Sequence, residues 1–180
     1  DSSIVIQSAV DGGSDASLFF KVASGTGNTN KKAGIVFRDI GTNGIGDLYF
    51  LNDSTDDGGN ATVADNTAMV IKSGGDIGIG VTPEASHSSV TNFQIGGLSN
   101  ITSTAAQSAG GSTWLGNNVY INSSGAQAHI VTDEASVYRQ VSGTHNFQTV
   151  ASGSADASIS FTTNMVLDIN SRISLSNNDS

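Results

Sequence analysis

Short runs of alternating apolar and polar residues recur along this 180-residue chain, each closed by a cluster of Gly, Asn, Asp or Ser. Alternation at period two places successive side chains on opposite faces of a strand. In the first half the pattern predicts strands at 3–7, 17–22, 34–38, 47–51, 69–72 and 77–81. In the second half it predicts them at 93–95, 118–121, 128–131, 136–141, 146–150 and 158–162. Gly12-Gly13 and Asn43-Gly44 read as turns, the latter because both residues tolerate positive φ. Residues 25–30 form a polar loop, and 98–111 are small and polar with room for one helical turn. No other stretch has a helical period, so the fold class is all-β.

One block occurs twice. Ala68-Met-Val-Ile-Lys-Ser-Gly-Gly-Asp-Ile-Gly-Ile-Gly-Val81 returns, degenerate and ungapped, as Asn164-Met-Val-Leu-Asp-Ile-Asn-Ser-Arg-Ile-Ser-Leu-Ser-Asn177. Met69 meets Met165, Ile71 meets Leu167, Ile77 meets Ile173 and Ile79 meets Leu175. Upstream, Gly34-Ile-Val-Phe-Arg-Asp39 echoes Ala135-Ser-Val-Tyr-Arg-Gln140. The chain therefore reads as tandem β-rich modules, 1–84 and 85–180, with a connector at 85–91 following Pro83. The first copy predicts a hairpin, 69–72 and 77–81, around Ser73-Gly74-Gly75-Asp76. Ile77, Ile79 and Val81 share one face, while Gly78 and Gly80 occupy the other, where glycine suggests close approach of another backbone. Ser174 and Ser176 keep that face small in the second copy. Arg38 to Met69 is five residues longer than Arg139 to Met165, and the excess is placed in the loop Asp53-Ser-Thr-Asp-Asp-Gly-Gly-Asn60.

Composition narrows the function classes. Charged residues are 13% and aromatic residues 6% of the chain, so each module has a thin core and would be marginal as a monomer. Burial against other copies of the chain is the physical expectation. With no cysteine, a disulfide scaffold, thiol chemistry and Cys-ligated zinc are excluded. The net charge of −9 opposes nucleic-acid binding, and Lys31-Lys32 is the only basic doublet. No apolar run approaches the ~20 residues of a membrane helix, and no basic leader opens the chain. The ends read as those of an ordered segment of a longer polypeptide.

Several groups merit weighing as chemistry. Asp53, Thr55 and Asp57 alternate ahead of Gly58 as calcium ligands would, without a closing Glu, so a solvated loop is the simpler reading. Asp133-Glu134 and Asp56-Asp57 are paired acids, but neighbours on a strand face opposite ways and a turn accounts for the first pair. His87, His129 and His145 are scattered, with His145 at an exposed hairpin tip. Convergence of one of them on a trimer axis is conceivable. Trp114 with Tyr120 could offer a sugar-stacking platform, though core or interface packing suits these large rings better. Arg38 and Arg139 read as strand-end charges or inter-chain donors. Gly74-Gly75 and Gly78-x-Gly80 resemble a phosphate loop only superficially, since no helix follows. The expectation is a protein with no catalytic, cofactor-binding or metal-ligating residues.

The phrase Met69-Val-Ile-Lys-Ser-Gly-Gly-Asp-Ile-Gly-Ile-Gly-Val-Thr-Pro83 resembles a block common in bacteriophage tail-fibre and related virion fibre proteins. The second module is similar to the same class, from Asn92-Phe-Gln-Ile-Gly-Gly97 through Ser142-Gly-Thr-His-Asn-Phe147 to Met165-Val-Leu-Asp168. The likeness covers most of 34–177. It implies an elongated homotrimer of β-modules on the virion, without cofactor, membrane insertion or nucleic-acid binding, serving host attachment or the shaft. Its other partners would be virion proteins and a host surface glycan or protein. A self-cleaving chaperone domain, common in such fibres, would lie beyond Ser180. Ser174 and Ser176 depart from the pattern. A bacterial extracellular adhesin or surface filament, and a glycan-binding or glycan-degrading tailspike, are the alternatives. Both a sandwich-like and an intertwined β-architecture fit the strand pattern.

Overall fold

The computed structural model describes residues 3–8, 14–21, 30–55 and 57–175. The chain divides into two compact units, Asp1–Thr82 and Pro83–Ser180. Among the described residues it is all-β, apart from one 3-10 turn at Thr42–Gly44.

The first unit is an antiparallel meander of β1 (Asp15–Lys21), β2 (Lys31–Asp39), β3 (Gly46–Asn52), β4 (Thr67–Ile71) and β5 (Ile77–Ile79). Asn43 and Gly44 both take positive φ, 62° and 70°, as the turn chemistry predicts. One face carries Val36 and Leu51, which bury with Ala61 and pack on Phe19, Tyr49 and Val63. Phe19 packs against Gly34, where a Cβ would sit 2.7 Å from its ring. Val70, on the same face, is fully buried.

The second unit contains β6 (Val90–Ile95), β7 (Ser99–Thr104), β8 (Ser112–Asn117), β9 (Tyr120–Ile121), β10 (Gln127–Ala128), β11 (Asp133–Val141), β12 (Thr144–Gly153), β13 (Thr162–Leu167) and β14 (Ile173–Leu175). Its sheet runs β6-β7-β8-β11-β12-β13-β14, all antiparallel, while β9 and β10 form a separate hairpin. That hairpin covers one sheet face. Val119, Ala135, Val137 and Ile159 form the buried cluster, with Trp114, Val150 and Phe161 against it.

The tandem block is reproduced in register. Met69 pairs with Ile79, Val70 with Gly78 and Ile71 with Ile77; Met165 pairs with Leu175, Val166 with Ser174 and Leu167 with Ile173. The turns match bond for bond. Lys72 N–H donates to Asp76 O and Gly75 N–H to Lys72 O, as Asp168 N–H does to Arg172 O and Ser171 N–H to Asp168 O. Gly75 and Ser171 both adopt positive φ, the three-residue loop with a left-handed last position. A third hairpin of the same build joins the strands expected at 118–121 and 128–131, without the apolar block of the other two. In β9–β10, Asn122 N–H donates to Ala126 O, Gly125 N–H donates to Asn122 O, and Gly125 is left-handed.

Other expectations need correction. Residues 3–7 form no strand: Ile4 and Val5 are exposed, and no strand among the described residues pairs with this apolar run. Residues 99–104 are strand β7 rather than a helical turn, because β6 and β8 pair with them on both sides. Strand at 118–121 shrinks to Tyr120–Ile121, since Asn118 turns the chain at φ 56°. Strand at 128–131 ends at Ala128, and 158–161 contribute a single bridge, Ala128 to Ser158. Part of the five-residue excess lies in the β2–β3 turn, 40–45, against the two residues Ser142 and Gly143 between β11 and β12. Gly80 takes φ 67° with nothing near its Cβ position, so it serves a bend and not a close approach. Gly12-Gly13, the loop at 25–29, Asp56 and Ser176 lie outside the described residues.

Candidate functional site

The covered face of the second sheet mixes its apolar cluster with a buried polar row. On the face under the β9–β10 hairpin, Asn92 opposes Thr102 and Gln94 opposes Asn100, and all four are buried. Thr102 donates to Asn92 Oδ1 at 2.6 Å, and Asn100 donates to Val119 O at 3.2 Å. Asn118, fully buried, pins Val131 and Glu134 through their backbone carbonyls and the Val131 N–H. The opposite face carries an unbroken row of directly opposed residues: Phe93, Ile101, Leu115, Tyr138, Phe147, Met165 and Leu175. Leu115 is 56% exposed, Phe147 42% and Leu175 72%. A groove of about 500 Å³ runs beside Leu115, Tyr138 and Phe147. In the first unit the matching face holds Leu18, Ile35, Phe50, Met69 and Ile79 in one row, with Phe37, Leu48 and Ile71 in the next.

Among the described residues, those singled out for chemistry lie apart from one another or in ordinary polar contacts. Lys32 Nζ lies 2.9 Å from Asp53, 2.8 Å from Asp57 and 3.0 Å from Thr55 O, the position a bound cation would take. Its ammonium holds both carboxyls below their ordinary range. Asp133 and Glu134 open strand β11 instead of forming a turn, and both are exposed. His87 accepts the Ser89 N–H at 3.1 Å, His129 is buried against Gly153, and His145 stacks on Tyr138, bonded to its hydroxyl. His145 is thus half-buried beside a hairpin turn, not exposed at its tip. Among the described residues no three His, Asp or Glu converge as a metal site.

Trp114 and Tyr120 are not presented as a platform. Tyr120 is buried and donates to Asp156 at 2.8 Å, and burial followed by that carboxylate pushes its hydroxyl up to about 12. Trp114 donates to Ser112 Oγ and carries the Arg139 guanidinium 4.9 Å above its ring. It borders a cavity of about 420 Å³ lined also by Thr102, Ser112, Gln127 and Ile159. Burial of the Arg139 guanidinium lowers its pKa. At the matching position Arg38 instead forms a two-point pair with Asp15, both contacts 2.8 Å.

Two features had no distinct sequence signal. Asp47, one alternating residue among many, is the buried acceptor for Lys72, Ser73 and Tyr49. The open apolar row depends on which sheet face the chain covers, and alternation alone is silent on that. No protein-family model, curated protein or solved structure matches this chain.

Proposed function

We propose that this chain is a structural, non-enzymatic segment of a virion fibre, assembled as a homotrimer and contributing to the shaft or to host-surface attachment. The observation that carries the reading is the tandem module. The hairpin bearing the fibre-like block recurs with the same register, turn bonds and facing apolar rows in both units. A repeated β-module with a thin core suits a role in which copies support one another. Light scattering of the native segment at several concentrations tests the assembly; a mass three times 18.2 kDa is expected. Antibodies to the segment then locate it. Gold on particle appendages supports the fibre, whereas gold on a bacterial envelope overturns it in favour of an adhesin.

A further inference from the structure

We infer that the open apolar sheet face of the second unit is where a second copy of this chain docks, through the row Ile101, Leu115, Tyr138, Phe147 and Met165. The inference deepens the fibre reading and rests on it. The first argument is area. Ile95, Ile101, Leu115, Phe147, Ile173 and Leu175 are each between 40% and 72% exposed on this face. At roughly 100 Å² apiece they present on the order of 600 Å², near the ~800 Å² per partner of a stable interface and at the upper end of patches tolerated on monomers.

The second argument is charge. The chain carries −9, so two copies meeting through acidic surface would repel. No Asp, Glu, Lys or Arg stands in the row from Phe93 to Leu175 or in the flanking row of Ser99, Asn117 and Ser136. This face is where a copy can approach without that cost. The third argument is recurrence. The first unit presents an equivalent row, Leu18, Ile35, Phe50, Met69 and Ile79. One chain therefore offers the same chemistry twice to a copy of itself. The groove beside Leu115 and Phe147 gives the incoming side chains a place to seat.

The chain has no cysteine, so Leu115→Cys introduces a single reporter on an exposed strand position. The thiol is expected to react with a maleimide at least tenfold more slowly in the native assembly than after dilution to monomer. The double variant L115T/F147T keeps strand-forming residues and should weaken self-association at least tenfold while retaining its far-ultraviolet circular dichroism. A native oligomer whose thiol reacts at the free rate overturns the docking face and leaves the fibre reading intact. So does an L115T/F147T protein that assembles as tightly as the native chain. A native chain that stays monomeric at every concentration overturns both. A dimer sustains the face and overturns the trimer.

Discussion

Lys72 Nζ sits 2.5 Å from Asp47 Oδ2, with the Asp47 carboxylate buried and the Ser73 N–H and Tyr49 hydroxyl completing its shell. Burial alone would raise this carboxyl; Lys72, Ser73 and Tyr49 together outweigh it and hold it below the ordinary value. A lowered folded pKa means the folded state binds fewer protons. The stabilisation is therefore present above the ordinary carboxyl range near pH 4 and is lost as pH falls through the depressed value. Asp47→Ala should cost the first unit about 2–3 kcal/mol at pH 7, and the deficit should shrink on acidification. Urea denaturation at pH 7 and pH 3 measures both.

At the matching turn positions, substitution should act with opposite signs. Gly75 sits at φ 93° and Ser171 at φ 61°. Gly75→Ala forces a side chain into the left-handed region and should cost roughly 1 kcal/mol. Ser171→Gly relieves it and should gain about 0.5 kcal/mol, since the greater freedom of glycine in the unfolded chain offsets part of the relief. Thermal midpoints of the two variants decide whether the turns share one energetic logic.

Lys32 holds its loop by charge. In Lys32→Ala the carboxyls of Asp53 and Asp57, both lowered by that ammonium, should titrate closer to the ordinary range. Carbon-detected NMR titration reads each carboxyl separately. Unchanged values would mean that the Thr55 and Gly59 N–H donors hold them unaided.

Close packing in the first unit should be felt at two neighbours in β2. Gly34→Ala would press a methyl into the Phe19 ring and should cost on the order of 1–3 kcal/mol. Val36, 1% exposed at the centre of the buried cluster, should cost about 2 kcal/mol on truncation to Ala. Equilibrium denaturation with retained circular dichroism measures each.

How much of this was legible follows from where the information sits. The hairpins at Met69–Ile79 and Met165–Leu175 were readable because their apolar spacing survives in both copies. The β9–β10 hairpin was legible only as two separate strands, 118–121 and 128–131, because Ala126 and Gln127 break the apolar alternation beside the turn. Strand β7 has one large apolar residue, Ile101, and owes its conformation to pairing on both sides. Residues 3–7 erred the opposite way, apolar without a pairing strand among the described residues. Alternation correctly grouped Val36 apart from Phe37, yet could not say that the smaller side chain turns inward. For the same reason the polar row Asn92, Gln94, Asn100 and Thr102 could not be foreseen as enclosed.

The three matched turns separate variation from folding. Their closing bonds use backbone groups and the first turn residue alone, Lys72, Asn122 or Asp168. The residues between, Ser73 and Gly74, Ser123 and Ser124, Ile169 and Asn170, are exposed, and at matched positions only the serine of Ser73 and Ser123 repeats. Mutational drift at these tips leaves strand register untouched, which makes them natural sites for surface diversification and for grafting foreign peptides onto the scaffold.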